Sequence, residues 1–369
     1  MHLMSTNPKS DFSPHDDIFL KYGIAGCRKR WIKRHPTHPI YEGQWNWAYQ
    51  DLDSFEGDET VWKEIDDMIW QDVDILLCTI GIALSDKLHN TFSPKMLILD
   101  EAFAVTEGLT LALMLKFRKS LELCVLIGDS YQRFLRYLPF VQKTPSMASR
   151  LRKGGWGVTC LRLNHRTDTK ICEFLREYAY NSIANLNKKE ISEEYKYYLE
   201  NTTDIINRLW INVVGEERIA GYGAVFNMAE VQLIEKLVRT LTTTEAIPEH
   251  AIAVLSPYAG QLGKLRKALS DQILQGLSVS SVGDYQGIEC DLIILSLVRS
   301  NQFCQIGILN ANTMIVSALS RARFGNIIVG NHKMMSNLGG AYDYWGHHMK
   351  RLVNLELIPV VDAGQCIFS

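Results

Sequence analysis

Six short apolar runs punctuate the chain: "DILLCT" (74–79), "KMLILDEA" (95–102), "LCVLIGDS" (123–130), "AIAVLSPY" (251–258), "DLIILSLV" (291–298) and "NIIVGN" (326–331). Each is continuous rather than alternating, ends at a polar or glycine-containing turn, and is followed by a helical spacing. Unbroken runs of this length mark strands covered on both faces, and interleaved helices join such strands into a parallel sheet. The pattern therefore predicts an α/β fold with doubly wound parallel sheets. In such sheets ligands sit beyond the carboxyl ends of the strands, so the polar residues closing each run are the first candidates for chemistry.

The rhythm stops between 133 and 160, in a stretch with Pro139, Pro145 and "KGGWG" at 153–157. A junction near residue 150 is expected there, dividing the chain into 1–150 and 151–369. With 369 residues and 47% hydrophobic positions the chain can fill two separate cores. Residues 1–70 show no strand run; their Trp and His content suggests helices and loops without assignable chemistry.

A formal net charge of -2 excludes a whole-protein pull towards nucleic acid or anionic lipid. Local basic patches remain, at Arg28 to His35, Arg133 to Arg136 and Arg150 to Lys153, each also readable as a solvated helix face. Eight scattered cysteines without a C-x-x-C pair fit free thiols in a reducing compartment better than a disulfide framework or a zinc site. The polar first twenty residues lack the apolar centre of a signal peptide, and no stretch approaches a membrane span, so a cytosolic or nuclear location is expected. The terminal "CIFS" fits prenylation spacing only loosely and no polybasic run precedes it.

Asp100 and Glu101 close the second run. At a strand end one acid can hold Mg²⁺ through water while its neighbour orients or deprotonates an attacking water. The third run ends on Gly128, Asp129 and Gln132, where an amide can position a water or sense a phosphate. In the second half Arg166 follows a short apolar stretch. Ser256, Pro257 and Tyr258 end a strand, with Gln261 and the basic Lys264, Arg266 and Lys267 entering a helix. Gly287 and Glu289 precede a strand, and Arg321 and Arg323 precede the last one. Taken singly, each has a plainer reading as a turn or a surface ion pair; in succession at strand ends they form a series.

That series, "ILDEA", "GDSYQ", "LNHR", "SPYAGQ", "SVGDYQGIECDLIILSLVRS" and "SALSRAR", resembles motifs II to VI of superfamily-one helicases of the RNA-surveillance and senataxin-like kind, over about residues 73–332. "DILLCTIGIAL" resembles the strand preceding motif II, and "FNMAEVQLI" the Asn-x-x-Glu segment between motifs IV and V. The resemblance implies two RecA-like domains that bind ATP and Mg²⁺ in the cleft between them and lay single-stranded nucleic acid, RNA in preference to DNA, across both. It implies that Asp100 holds Mg²⁺, Glu101 is the catalytic base and Gln132 senses the γ-phosphate. Arg166 and Arg321 become arginine fingers, Gly287 and Glu289 line the phosphate side, and Ser256, Pro257, Tyr258 and Gln261 belong to the nucleic-acid track.

The chain departs from that family in one respect above all. No G-x-x-x-x-G-K-[ST] phosphate loop occurs: the one Gly-Lys, Gly263-Lys264, is followed by Leu265 and has Tyr258 where the first glycine belongs. The glutamine motif upstream of that loop is missing too. "NTMIVS" (312–317) replaces the usual arginine-asparagine stretch, and "LNHRTD" replaces the commoner Gln-Tyr-Arg-Met. The expectation is a helicase-like protein, truncated or degenerate within the first domain and without motor activity alone. A nucleic-acid- or partner-binding scaffold, and a fragment of a complete ATP-dependent helicase, are the alternatives. A first sheet lacking a strand should be unstable, and residues 151–369 should form the stable part.

Overall fold

A computed structural model describes residues 2–4, 59–71, 73–85, 88, 92–132, 145–161, 164–167, 171–172, 175, 180, 208–243, 247–310, 312–336 and 360–363. Of the three basic patches, Arg28 to His35 and Arg133 to Arg136 lie outside these residues. The chain divides into two compact units, Met1–Gly128 with Thr144–Arg150, and Asp129–Lys143 with Leu151–Ser369.

In the first unit β1 (His2–Met4) pairs antiparallel with β2 (Ile75–Leu77). Helix α1 (Glu59–Gln71) precedes β2, and the short α2 (Ile80–Leu84) follows it behind a Thr79 cap, whose hydroxyl accepts from the Ile82 amide at 3.4 Å. Strand β3 (Met96–Leu99) runs parallel to β4 (Leu123–Leu126), and α3 (Glu107–Lys116) makes the crossover. Ile65, Ile69 and Trp70 of α1 pack with Leu99, Leu113 and Phe117 into a small core.

These strands do not match the expectation of cover on both faces. Met96, Ile98 and Leu123 are about half exposed, because successive side chains of a strand point to opposite faces and only one face meets the core.

The second unit is built on a six-stranded sheet in the order β12-β5-β11-β10-β8-β9, parallel at every pairing. Its strands are β5 (Arg208–Asn212), β8 (Ile252–Ser256), β9 (Ser278–Ser281), β10 (Cys290–Ser296), β11 (Ala322–Gly330) and β12 (Val360–Asp362). An antiparallel hairpin of β6 (Glu217–Ala220) and β7 (Ala224–Asn227) leads into α4 (Met228–Thr243). Helix α5 (Ala259–Ala268) follows β8, α6 (Asn312–Leu319) precedes β11, and α7 (His332–Ser336) follows it.

Here the unbroken apolar runs do go to both sides. Ile252, Val254, Leu292, Ile294, Ile327 and Val329 fill one core layer, while Ala253, Leu255, Ile293, Leu295 and Ile328 fill the other. Each such Leu or Ile contributes about 1.5–3 kcal/mol by leaving water. The sheet that carries the second group of candidate residues is thus clamped from above and below. No helix among the described residues is long and apolar enough to cross a membrane.

Candidate functional site

In the first unit β3 delivers Asp100 and Glu101 to its carboxyl end. Glu101 sits in the left-handed region at φ 51°, and its amide donates to Asp100 Oδ1 at 2.9 Å, so the pair turns sharply out of the strand. The Ala102 amide donates to Ile127 O at 2.8 Å, drawing the ends of β3 and β4 together. Gly128 makes this approach possible: a Cβ there would lie 3.1 Å from the Ala102 nitrogen. Asp100 remains exposed.

Among the described residues no group of three or more His, Cys, Asp or Glu side chains could cage a metal. The donor set at Asp100 fits a Mg²⁺ that arrives on a nucleotide, since such ions keep waters and take one or two carboxylates plus phosphate oxygens. It does not fit a resident, protein-enclosed ion.

In the second unit Arg166, Glu289, Arg321 and Arg323 meet at one region of the sheet. Arg166 Nε donates to Glu289 Oε2 at 2.7 Å and its Nη1 to Ser320 O at 3.3 Å. Arg323 Nε donates to the other Glu289 oxygen at 3.0 Å and its Nη1 to Asp291 at 3.2 Å. The hydrogen bond from Arg166, reinforced by Arg323 and opposed by partial burial, holds the Glu289 carboxyl below its ordinary range.

Arg321 is buried, with Nε on Ser317 O at 3.0 Å and Nη2 on Gln132 Oε1. Gln132 Nε2 in turn donates to the Tyr180 hydroxyl at 3.3 Å, and that hydroxyl donates to Asp129. Burial first, then the Asp129 charge, pushes the Tyr180 phenol above its usual value. Gly287 adopts φ 83° beside this cluster's acid, with open space where a Cβ would be. Three guanidinium groups, held by the carboxylates Glu289 and Asp291 and linked through Gln132 and Tyr180 to Asp129, bring their donors together at one end of the sheet. Such an arrangement suits a polyanion whose charge grows during reaction.

Sequence reasoning brought forward Arg166, Gln132, Glu289 and Arg321, and the second unit assembles them. Asp291 and Tyr180 were missed, and Arg323 was noted without a role. Asp291 opens an apolar run and Tyr180 lies in no motif, so only the fold reveals them.

The proposed nucleic-acid residues divide. Ser256 and Gln261 are fully buried, and their side chains have no surface to offer a strand. Ser256 Oγ donates to Ser296 O at 3.2 Å, and Gln261 Nε2 donates to Ser296 Oγ at 2.9 Å while its Oε1 accepts from the Asn227 amide at 2.9 Å. They belong to an internal polar network completed by Glu230, whose Oε2 accepts from Ser296 Oγ at 2.6 Å and from the Val298 amide at 2.9 Å. Pro257 and Tyr258 keep partial exposure.

The Tyr258 hydroxyl donates to Ile306 O at 2.9 Å, and the Arg299 guanidinium lies 5.9 Å from its ring centre. On α5, Lys264 stands over the Phe226 ring at 4.9 Å and Arg266 caps Val279 O at 3.1 Å, so part of that basic face is engaged within the unit. The Arg150 to Lys153 patch is likewise engaged: Arg150 pairs with Glu107 at 2.7 Å and Arg152 donates to Ser130.

A family model described as an AAA domain matches residues 144–333. NFX1-type zinc finger-containing protein 1 of Mus musculus is 30% identical over 278 residues, covering 73% of this chain and 14% of that protein. The regulator of nonsense transcripts 1 homolog of Arabidopsis thaliana is 30% identical over 281 residues, covering 73% of this chain and 22% of that protein. The helicase required for RNAi-mediated heterochromatin assembly 1 of Schizosaccharomyces pombe is 27% identical, covering 76% of this chain and 28% of its own length. The chain therefore spans less than a third of each of these relatives. Among solved structures, the C-terminal domain of a DNA helicase candidate from Lactobacillus is similar with a TM-score of 0.31 and 14% identity, over 53% of this chain and 98% of that one. The fold rests on the strand order above and not on that likeness.

Proposed function

We propose, from the premise that this chain belongs to the AAA-domain family and is a superfamily 1 helicase region of the nonsense-transcript-regulator type, that it carries two parts of an ATP-driven nucleic-acid machine. The first part is the acid pair Asp100 and Glu101. The second is the arginine side of the nucleotide centre, Arg166, Arg321 and Arg323 around Glu289. The observation that carries this reading is the convergence of those guanidinium groups at one region of the second sheet.

In this reading Asp100 takes the nucleotide's Mg²⁺ through water, and Glu101 accepts the proton of the attacking water. Gln132 senses the γ-phosphate, and Gly287 with Glu289 lines the phosphate side. Arg166 and Arg321 stabilise the charge spreading over the transferring phosphoryl group, a contribution of ~10³ to 10⁵ in rate for an arginine finger. Single-stranded nucleic acid, RNA in preference to DNA, runs past Pro257 and Tyr258, in a cytoplasmic or nuclear setting.

The 369 residues hold no glycine-rich phosphate loop to wrap the β and γ phosphates. The chain by itself is accordingly expected to bind ATP weakly and not to turn it over. The test is ATP hydrolysis by the purified chain with and without single-stranded RNA. No RNA-stimulated turnover is expected. Robust stimulated turnover that Glu101→Gln abolishes would show that the centre is complete within this chain and overturn that part of the reading.

A further inference from the structure

Beyond β10 the chain enters a loop, residues 297–307, whose backbone is unusual and unusually well tied down. Val298 has φ 70°, and the Arg299 amide donates back to Leu297 O at 2.7 Å, which closes a three-residue turn of positive φ. That turn is rare and strained, the more so with a β-branched residue at its centre. Six residues on, Cys304 has φ 50°. Among the described residues three non-glycine positions have positive φ; one is Glu101 at the proposed catalytic end of β3, and the other two lie in this loop. Strain of this kind persists only where the surroundings over-determine it, and it gathers at functional sites.

The surroundings here are specific. The single carboxylate of Glu217, on β6, accepts from Arg299 Nε at 2.9 Å and Nη2 at 3.0 Å, from the Ser300 amide at 2.8 Å and from Asn301 Nδ2 at 3.0 Å. Asn301 then closes the tip on itself, accepting from the Gln305 amide and donating to Gln305 O, both at 2.9 Å. From below, Glu230 fixes the Val298 amide, and from the side Asn331 Nδ2 donates to Ser300 Oγ at 2.9 Å.

All this framing presents one large side chain to solvent. Phe303, between the two halves of the Asn301 clamp, is 72% exposed. The loop also touches the proposed track: the Tyr258 hydroxyl donates to Ile306 O at 2.9 Å, the Arg299 guanidinium lies 5.9 Å from the Tyr258 ring centre, and on the other side Met334 Sδ of α7 accepts from the Asn301 amide.

We propose that Phe303 is a base-stacking residue of the second unit's single-stranded nucleic-acid surface, presented by the loop that Tyr258 contacts. A pre-set aromatic face loses little freedom on binding and accepts any base, which suits a track that reads no sequence. The inference rests on the nucleic-acid reading proposed above and adds to it a residue, a loop and a mode of contact.

The test uses the full chain and a short oligouridine carrying one 2-aminopurine, with affinity read by anisotropy and stacking by quenching of the purine's fluorescence. Phe303→Ala is expected to weaken binding by about 5-fold to 150-fold, the usual range for loss of one base–aromatic stack, and to remove the quenching. Phe303→Tyr should restore both, while Phe303→Leu, equally apolar but without a π face, should not. Because the side chain is exposed, the unfolding midpoint of each variant should match the wild type. Wild-type affinity and quenching in Phe303→Ala overturn this inference and leave the nucleic-acid reading standing. So does full binding by Phe303→Leu, which would show that apolar bulk at this position suffices without stacking. Failure of the wild-type chain to bind at low salt overturns the nucleic-acid reading and this inference with it.

Discussion

One buried and one part-buried glutamate show how position decides what a carboxyl does. Burial raises the pKa of Glu230 to about 8, only partly offset by hydrogen bonds from Ser296 and the Val298 and Leu297 amides, and no cation among the described residues contributes. In the unfolded chain the same group ionises near its ordinary value of about 4.3. Between those values the native state holds a proton that the unfolded state has released, so stability falls as pH rises from about 4.5 to 8. Glu230→Gln keeps an acceptor for Ser296 and Val298 without the titration. It should lack that slope and gain roughly 3–4 kcal/mol over the wild type at pH 8 relative to pH 5, read from urea midpoints. A wild-type slope in the variant would mean that Glu230 is ionised in the native state.

Glu217 is the opposite case. Burial pushes its carboxyl up, but the bonds from Arg299, Asn301 and the Ser300 amide outweigh that and hold it below its ordinary range. Its contribution is therefore present above the unfolded value of about 4.3 and lost as pH falls through the depressed native one. Both partners of the Glu217–Arg299 pair are only 12% exposed. Glu217→Gln should cost about 1–3 kcal/mol at pH 7, with the difference from wild type shrinking towards pH 3. An unchanged urea midpoint at pH 7 would show that the loop does not depend on this acid.

At the scale of elements, legibility follows from which physical signal an element writes into its residues. Strands β8, β10 and β11 are buried on both faces, so they need unbroken apolar runs, and those runs were readable. Strand β9 is "SVSS" at the sheet's edge and β5 is "RLWIN" with charge at its start; neither carries an apolar run long enough to separate it from a loop. The site residues that motif order exposes, such as Arg166, Glu289 and Arg321, were legible for the same reason of pattern. Side-chain direction is not written that way: Gln261 looks like a polar helix start, and only the packing of α5 on β7 turns it inward.

That packing is itself testable within one helix. A Cβ on Gly260 would lie 2.6 Å from Val225 O, whereas one on Gly263 meets nothing within 4 Å. Gly260→Ala should therefore cost about 1–3 kcal/mol by forcing α5 off the hairpin. Gly263→Ala should gain roughly 0.5–1 kcal/mol from helix propensity. Equal effects of the two substitutions on chemical denaturation would show that helix and hairpin do not make this close approach.

For the whole molecule, the two units differ in how much burial supports them. In the second, two core layers sandwich six parallel strands, and most of β8, β10 and β11 is inaccessible to water. In the first, the parallel pair β3 and β4 rests on one small core and leaves Met96, Ile98 and Leu123 half in solvent. Parallel sheets are ordinarily buried on both faces, and local opening is easiest where apolar contacts are few. Native-state hydrogen exchange should therefore show the amides of β3 and β4 opening at a lower free energy than those of β8, β10 and β11. Urea should unfold the first unit ahead of the second, in two steps rather than one. A single cooperative transition, with one common protection level across both sheets, would mean that the uncovered face of β3 and β4 is stabilised by contacts beyond its own core. The proposed division of labour has a consequence at the same scale: the acids Asp100 and Glu101 stand on the less stable unit, and the arginine cluster on the more stable one. A ligand that bound the acid side of the native chain would raise the lower transition by RT ln(1 + [L]/Kd) and leave the upper one in place. Urea titrations with and without Mg²⁺–ATP check this, with the lower step expected to move at nucleotide concentrations well above Kd and the upper one to move less, by the binding that the arginine cluster retains alone.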